Sequence, residues 1–143
     1  MSPPGVPLPG AIELPDGTWV RGRSVRRPPT AGPEPTLGLY LGVDYHPPWQ
    51  HQHIRWPDFW LPTEPEHALE LLRAAHRHAR DGGRLEIGCR GGKGRTGTAI
   101  AALAVLAGVP PDHAVTWVRR HYAPRAVETP WQRRWVRRLP AAR

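Results

Sequence analysis

Only one cysteine, Cys89, occurs in the 143 residues. A lone thiol excludes an internal disulfide and any cysteine-rich zinc site, and makes a reduced, cytoplasmic setting the expectation. Lysine is as scarce, with Lys93 the single lysine among 20 basic side chains. Acidic residues number only 12, which leaves a formal charge of +8 and favours an anionic partner or substrate. Arginine accompanies abundant Ala, Gly and Pro, as in a compositionally biased proteome, so arginine by itself marks no function. No apolar run is long enough to span a membrane. The opening MSPPGVPLPG has neither a basic leader nor an apolar stretch, so no signal peptide is expected. No internal repeat stands out.

What the chain does hold is 19 prolines and 15 glycines, and they punctuate it. Residues 1–10 read as a Pro-rich flexible tail, and 11–143 as one domain with a modest core. "AIELPDGTWVRG" (11–22) alternates around Pro15-Asp16-Gly17 and predicts a hairpin. "LGLYLG" (37–42), "HQHIRW" (51–56) and "RLEIG" (84–88) read as strands, the first of them buried. From Thr63 the pattern is helical, with Thr63 and Glu66 spaced as a capping box, Pro65 early, and a stripe of Leu69, Leu72, His76 and Ala79. Thr96 to Ala107 is almost wholly apolar, as in a helix buried on all sides. Helices are also predicted over 110–122 and 129–139, the latter with Thr129 as N-cap and Pro130 at N1. Strands, then a β-loop-α unit, then helices predict an α/β fold: a central mixed or largely parallel sheet flanked by helices.

The cysteine lies in "IGCRGGKGRTGTAI" (87–100), between a predicted strand and the buried helix. A loop there turns successive N–H groups inward as a nest, above the positive end of the helix dipole. That arrangement suits a tetrahedral oxyanion. The nucleotide-binding P-loop does not fit, because Gly94 rather than Ser or Thr follows Lys93 and the upstream glycine is missing. The spacing Cys-x5-Arg does fit, from Cys89 to Arg95. Amides, the helix end and a guanidinium stabilise a thiolate, which is the nucleophile. Arg95 can grip two phosphate oxygens in a bidentate fork, and the transition-state charge of phosphoryl transfer lies on those oxygens. Thr96 can donate its hydroxyl to the departing sulfur.

On this signature, Cys89-Arg90-Gly91-Gly92-Lys93-Gly94-Arg95-Thr96-Gly97, the chain resembles the cysteine-dependent protein tyrosine phosphatase superfamily, including its dual-specificity branch. "RWPDFWLP" (55–62) resembles the family's mobile acid loop, and "AVETPWQRRWV" (126–136) its water-positioning segment. The resemblance spans roughly residues 37 to 139 in the family's order. It implies a metal-independent phosphomonoesterase with no cofactor, working through a phosphocysteine. Cys89 is then the nucleophile, with Arg90, Gly91, Gly92, Lys93, Gly94, Arg95 and Thr96 as the phosphate cradle. Asp58 is the general acid, and later the base for the hydrolytic water. Gln132 positions that water, or else lies on an exposed face opposite Trp131, Trp135 and Leu139. Glu128 and Thr129 read as helix-start residues, and Asp44 is the substitute acid. The chain departs from the family in Gly88, where a histidine is usual. It also lacks a tyrosine-bearing loop that deepens a phosphotyrosine pocket. The partner is therefore a phosphorylated protein or a small metabolite, with Arg90 and Lys93 suiting a multiply charged one, and a monomer is the default.

Rival readings have their own residues. His46, His51 and His53 stand close together, but Pro47-Pro48 intervenes and no carboxylate or cysteine joins them at ligand spacing, which predicts a solvated strand edge and no metal. His76 and His78, two apart on a helix, point in different directions. Arg133, Arg134, Arg137 and Arg138 could contact nucleic-acid phosphates, as in an RNA 5′-phosphatase, against the plainer reading of a solvated helix face. A rhodanese-like sulfurtransferase would have no use for Asp58, and an inactive phosphate-binding module would have no use for Cys89, Arg95 and Asp58 together.

Overall fold

Strand residues alternate between two very different environments, and that alternation organises the molecule. A computed structural model describes residues 6–29 and 31–142. Its strands are β1 (Ile12–Glu13), β2 (Trp19–Ser24), β3 (Leu37–Leu41), β4 (His51–Ile54) and β5 (Leu85–Cys89). They form one mixed sheet in the order β1-β2-β5-β3-β4. β1 and β2 are the predicted antiparallel hairpin, while β2, β5, β3 and β4 run parallel. β5 is therefore central, and the loop that follows it leaves from the carboxyl end of the sheet, where ligands bind in open α/β folds.

One face of the sheet is apolar. Val20, Leu39, Leu41, Leu85, Ile87 and Cys89 share a core with Leu72 and Ala75 of helix α1 (Pro65–Arg80) and with Ile100 and Leu103 of helix α2 (Gly94–Leu106). Twelve of the thirteen α2 residues are buried, matching the nearly unbroken apolar run. A 3-10 turn (Pro111–His113) and helices α3 (Ala114–His121) and α4 (Pro130–Arg137) complete the chain.

The other face is polar, and the register shows why. Arg21 and Arg23 pair with Glu86 and Gly88, which pair with Gly38 and Tyr40, which pair with His51 and His53. Glu86 is wholly buried. It accepts from Arg21 Nη2 at 2.6 Å, Arg23 Nη2 at 3.1 Å and the Tyr40 hydroxyl at 2.9 Å. Trp49 Nε1 donates to that hydroxyl at 2.7 Å. A buried charge is tolerable only when paired and hydrogen-bonded, and here both conditions hold. Burial, then the neighbouring Glu86 charge, pushes the Tyr40 hydroxyl well above the ordinary tyrosine range.

Two local expectations differ in the structure. The first is the capping box at Thr63: α1 takes Glu64 as N-cap and has no side-chain cap, since Pro65 opens the helix one residue on from the position that Thr63 would cap. The second is the tail. Leu8 is only 3% exposed and the Pro9 carbonyl accepts from Arg21 Nη1, so Leu8 and Pro9 lie against the body, while 1–5 fall outside the described residues.

Candidate active site

The signature loop begins where β5 ends. Cys89 closes the strand, and Lys93 is the N-cap of α2, with no side chain capping the helix. The first-turn amides are thus left for another partner. Gly92 has φ +72°, and a Cβ there would fall 2.6 Å from the Ser24 amide nitrogen, so only glycine fits this close approach of backbone to backbone. In that conformation the Gly92 amide donates to Cys89 Sγ at 3.1 Å. Two further contacts fix the loop: Ser24 Oγ donates to the Arg90 carbonyl at 2.6 Å, and the Tyr122 hydroxyl donates to the Gly92 carbonyl. Tyr122 lies above its ordinary range because it is buried and because Cys89 and Glu86 bring negative charge near it.

Arg95 is 4% exposed. Its Nη1 donates to the carbonyls of Leu41, Gly42 and Trp56 at 3.1–3.2 Å, which fixes the guanidinium plane. Nη2 lies 3.5 Å from Asp58 Oδ1. The Thr96 hydroxyl is fully buried and, among the described residues, is the buried side-chain oxygen without a hydrogen-bond partner.

Asp58 follows Trp56, which is buried and donates through Nε1 to the Trp60 carbonyl at 2.8 Å. The loop is also tied to α4. Trp131 Nε1 donates to the Phe59 carbonyl at 2.7 Å, and Gln132 Nε2 to the Trp60 carbonyl at 3.0 Å. Phe59 sits at φ 61° and Val127 at φ 64°, so the loops on both sides of the cysteine hold non-glycine residues in the left-handed region. Such strain persists only where surrounding contacts over-determine it. Arg119 provides some of them, donating to the carbonyls of Ala126 and Val127.

These elements enclose a cavity of ≈ 250 Å³ lined by Cys89, Arg90, Gly91, Lys93, Gly94 and Arg95 of the loop, together with Asp58, Phe59, Arg26 and Glu128. The cysteine, arginine and aspartate picked from the sequence are thus brought together. Gly92 and Thr96 lie behind the loop, buried.

Gln132 is different. It is wholly buried beside Val136, not on an exposed face, and it does not line the cavity. Its Oε1 accepts from the amides of Glu128 and Thr129, completing a capping box with Thr129, which draws the side chain back over the helix end. Trp131, expected on the buried side, is instead 40% exposed against the loop that carries Asp58. Glu128, read as a helix-start residue, reaches the cavity wall, where a Cβ on Gly94 would overlap its carboxylate. Arg26 and Tyr122 had no signal in the sequence, because their position depends on the fold.

The histidines lie at a solvated sheet edge, as expected, but closer together than the intervening prolines implied. His46, His51 and His53 each offer a ring nitrogen, all within 4.8 Å of one another. Residues two apart on a strand share a face, so His51 and His53 point the same way, and the connection through Pro47-Pro48 turns back instead of separating them. A carboxylate is present as well: His46 Nε2 donates to Asp44 Oδ1 at 2.7 Å. Asp44 thereby belongs to this cluster and is not among the residues lining the cavity. Gly88, the departure from the family pattern, is filled in space by Tyr40, whose Cδ1 would lie 2.9 Å from an added Cβ. Of the four arginines weighed for nucleic acid, Arg134 and Arg137 on α4 and Arg138 at its C-cap are exposed. No described helix is long and apolar enough to cross a membrane.

Known proteins agree with this geometry. A family model described as "PTP-SAK: Swiss Army Knife protein, DSP-PTPase phosphatase domain" matches residues 42–141. The human tyrosine-protein phosphatase non-receptor type 18 is 32% identical over 110 residues, covering 71% of this chain and 24% of its own. An uncharacterized protein of Methanocaldococcus jannaschii is 35% identical over 79 residues, covering 55% of this chain and 52% of its own. The chain thus spans a quarter to a half of these relatives. Among solved structures, Tk-PTP in its active form superposes with a TM-score of 0.66 at 29% identity, covering 92% of this chain and 96% of that one. A mutant form of Tk-PTP gives 0.61 at 30% identity, covering 73% and 76%. With the matched region holding the Asp58 loop, the cysteine-arginine loop and α4 in order, the chain belongs to the protein tyrosine and dual-specificity phosphatase superfamily.

Proposed function

We propose that the chain is a phosphomonoester hydrolase that works without a metal through a phosphocysteine. The observation that carries this reading is a single cavity holding Cys89, Arg95 and Asp58, with a loop amide donating to the sulfur at 3.1 Å. The Cys89 thiolate attacks phosphorus and forms the S–P bond as the ester P–O bond breaks. Asp58 gives its proton to the leaving oxygen. With Nη1 held by three carbonyls, Arg95 keeps Nε and Nη2 as a fork for the phosphoryl oxygens, beside the loop amides. Water then attacks phosphorus, Asp58 takes its proton, and S–P cleavage restores the thiolate. Thr96, buried and unpartnered, is the donor that supports the departing sulfur.

The water-orienting role falls to Glu128 and not to Gln132, because Glu128 lines the cavity while both ends of the Gln132 amide are engaged elsewhere. Gln132 is a positioning residue for the acid loop. The substrate class follows from charge. A second cavity of ≈ 540 Å³ adjoins the first and shares Arg26, Gly91 and Lys93 with it, adding Arg27. That pair of basic cavities supports a substrate carrying a second anionic group, such as a nucleotide or a bisphosphorylated metabolite, over a lone phosphotyrosine.

A turnover screen over phosphopeptides, nucleotides, sugar phosphates and inositol phosphates tests both parts. The expected result is phosphate release that survives a chelator, yields to vanadate, vanishes in Cys89→Ser, and has its lowest KM with substrates of two or more phosphates. Release that persists in Cys89→Ser would refute the mechanism. A preference for singly phosphorylated peptides would refute the substrate class alone.

A further inference from the structure

We infer that His46, His51 and His53 form a zinc site at the sheet edge, separate from the phosphatase cavity and with no part in its chemistry. The three rings lie with centroids 4.8–5.8 Å apart in mutual edge-on contact. One nitrogen of each lies within 4.8 Å of the others. Tetrahedral Zn–N bonds of about 2.0–2.1 Å place ligand nitrogens about 3.3 Å apart. Reaching that spacing would need rotation of the His46 and His53 side chains, both of which are exposed.

The hydrogen bonds of these rings carry the stronger argument. His51 Nδ1 donates to the Trp49 carbonyl at 2.8 Å, and His53 Nε2 donates to the Tyr45 carbonyl at 2.7 Å. His46 Nε2 donates to the Asp44 carboxylate at 2.7 Å. Carbonyls and carboxylates only accept, so each contact fixes which nitrogen bears the proton. In the neutral rings Nε2 of His51 and Nδ1 of His53 and His46 are left as lone pairs. Imidazoles that each donate their other N–H to an oxygen are the usual arrangement around a metal, and a carboxylate partner such as Asp44 raises the ligand's basicity. Three nitrogens without sulfur suit zinc among the divalent ions, with one position open to water.

The site has a structural consequence. His51 and His53 belong to edge strand β4, and His46 to the 42–50 connection that begins at Gly42. The Gly42 carbonyl holds Arg95, and β4 leads directly to Trp56 and Asp58. An ion here would pin that connection to the strand.

The test uses untagged Cys89→Ser protein, so that neither a tag nor the thiolate competes for zinc. Calorimetric titration with zinc chloride should give one ion per chain and raise the melting temperature. Cobalt(II) in its place should give a tetrahedral visible spectrum without a sulfur charge-transfer band. His46→Ala removes an exposed loop side chain and leaves the strand untouched, and it should abolish the thermal shift. Asp44→Ala should weaken binding by about 10- to 100-fold. No stoichiometric binding, or binding of equal strength in His46→Ala and His53→Ala, would overturn the proposal.

Discussion

Asp58 is 55% exposed at its side chain and touches Arg95 at 3.5 Å, while the residues after it are held by Trp131 and Gln132 through main-chain carbonyls. Under the proposed mechanism this divides the labour of the loop between one group that donates a proton and two that place it. Asp58→Asn should cost on the order of a hundredfold with alkyl phosphates, and much less with aryl phosphates whose leaving oxygen needs little protonation. Gln132→Ala should reproduce that leaving-group dependence in weaker form. Glu128→Ala should instead slow the second step, so that rapid-quench mass spectrometry finds phosphate accumulating on Cys89. If the two variants exchange these signatures, the assignments exchange too. Cys89, Arg95 and Asp58 were legible in the sequence because each sits in a short contiguous motif with its own chemistry. Glu128 and Gln132 lie four apart, and only the capping box decides which of them turns toward the cavity.

At the level of the strands, the polar face of the sheet rests on Glu86. Replacing it with Ala would leave Arg21 and Arg23 buried without a counter-charge, and chemical denaturation should show a loss of about 3–5 kcal/mol. Tyr40→Phe should cost about 1–3 kcal/mol, since Trp49 loses its acceptor and Glu86 a donor. A Glu86→Ala protein as stable as the parent would show the network to be dispensable. Periodicity revealed β3, β5 and α2 through their apolar runs, yet hid the opposite face. Arg21, Arg23, Tyr40 and Glu86 come from three separate stretches, and nothing in "RLEIG" marks its glutamate as buried. His46, His51 and His53 stand out in the sequence but read as no metal site, because the returning connection that brings His46 and Asp44 back to β4 leaves no mark on the spacing. The Thr63 box failed for a local reason, because Pro65 already defines where α1 starts.

Across the whole molecule, the hairpin is locked to α1 by Asp16, whose Oδ2 lies 2.7 Å from His76 Nε2. Burial raises the Asp16 carboxyl, but hydrogen bonds from the Thr18 hydroxyl and amide and from His76 outweigh it, and the value falls below the ordinary 3.8. A carboxyl held lower when folded stabilises above its unfolded value, and that contribution is lost as pH falls through the folded one. Parent and Asp16→Ala should therefore differ in melting temperature at neutral pH, and the difference should shrink as pH falls below the unfolded value of about 3.9 and through the lower folded one. A difference that widens with acid would contradict this. The net charge of +8 acts at the same scale, drawing anionic substrates toward the basic cavities, so KM for them should rise with salt. The proposed chemistry rests on a bond between phosphorus and one sulfur. The decisive measurement is rapid-quench mass spectrometry during turnover of an aryl phosphate: a phosphoryl group on the Cys89 peptide at steady state is predicted, and phosphate release with that peptide never modified would contradict the mechanism.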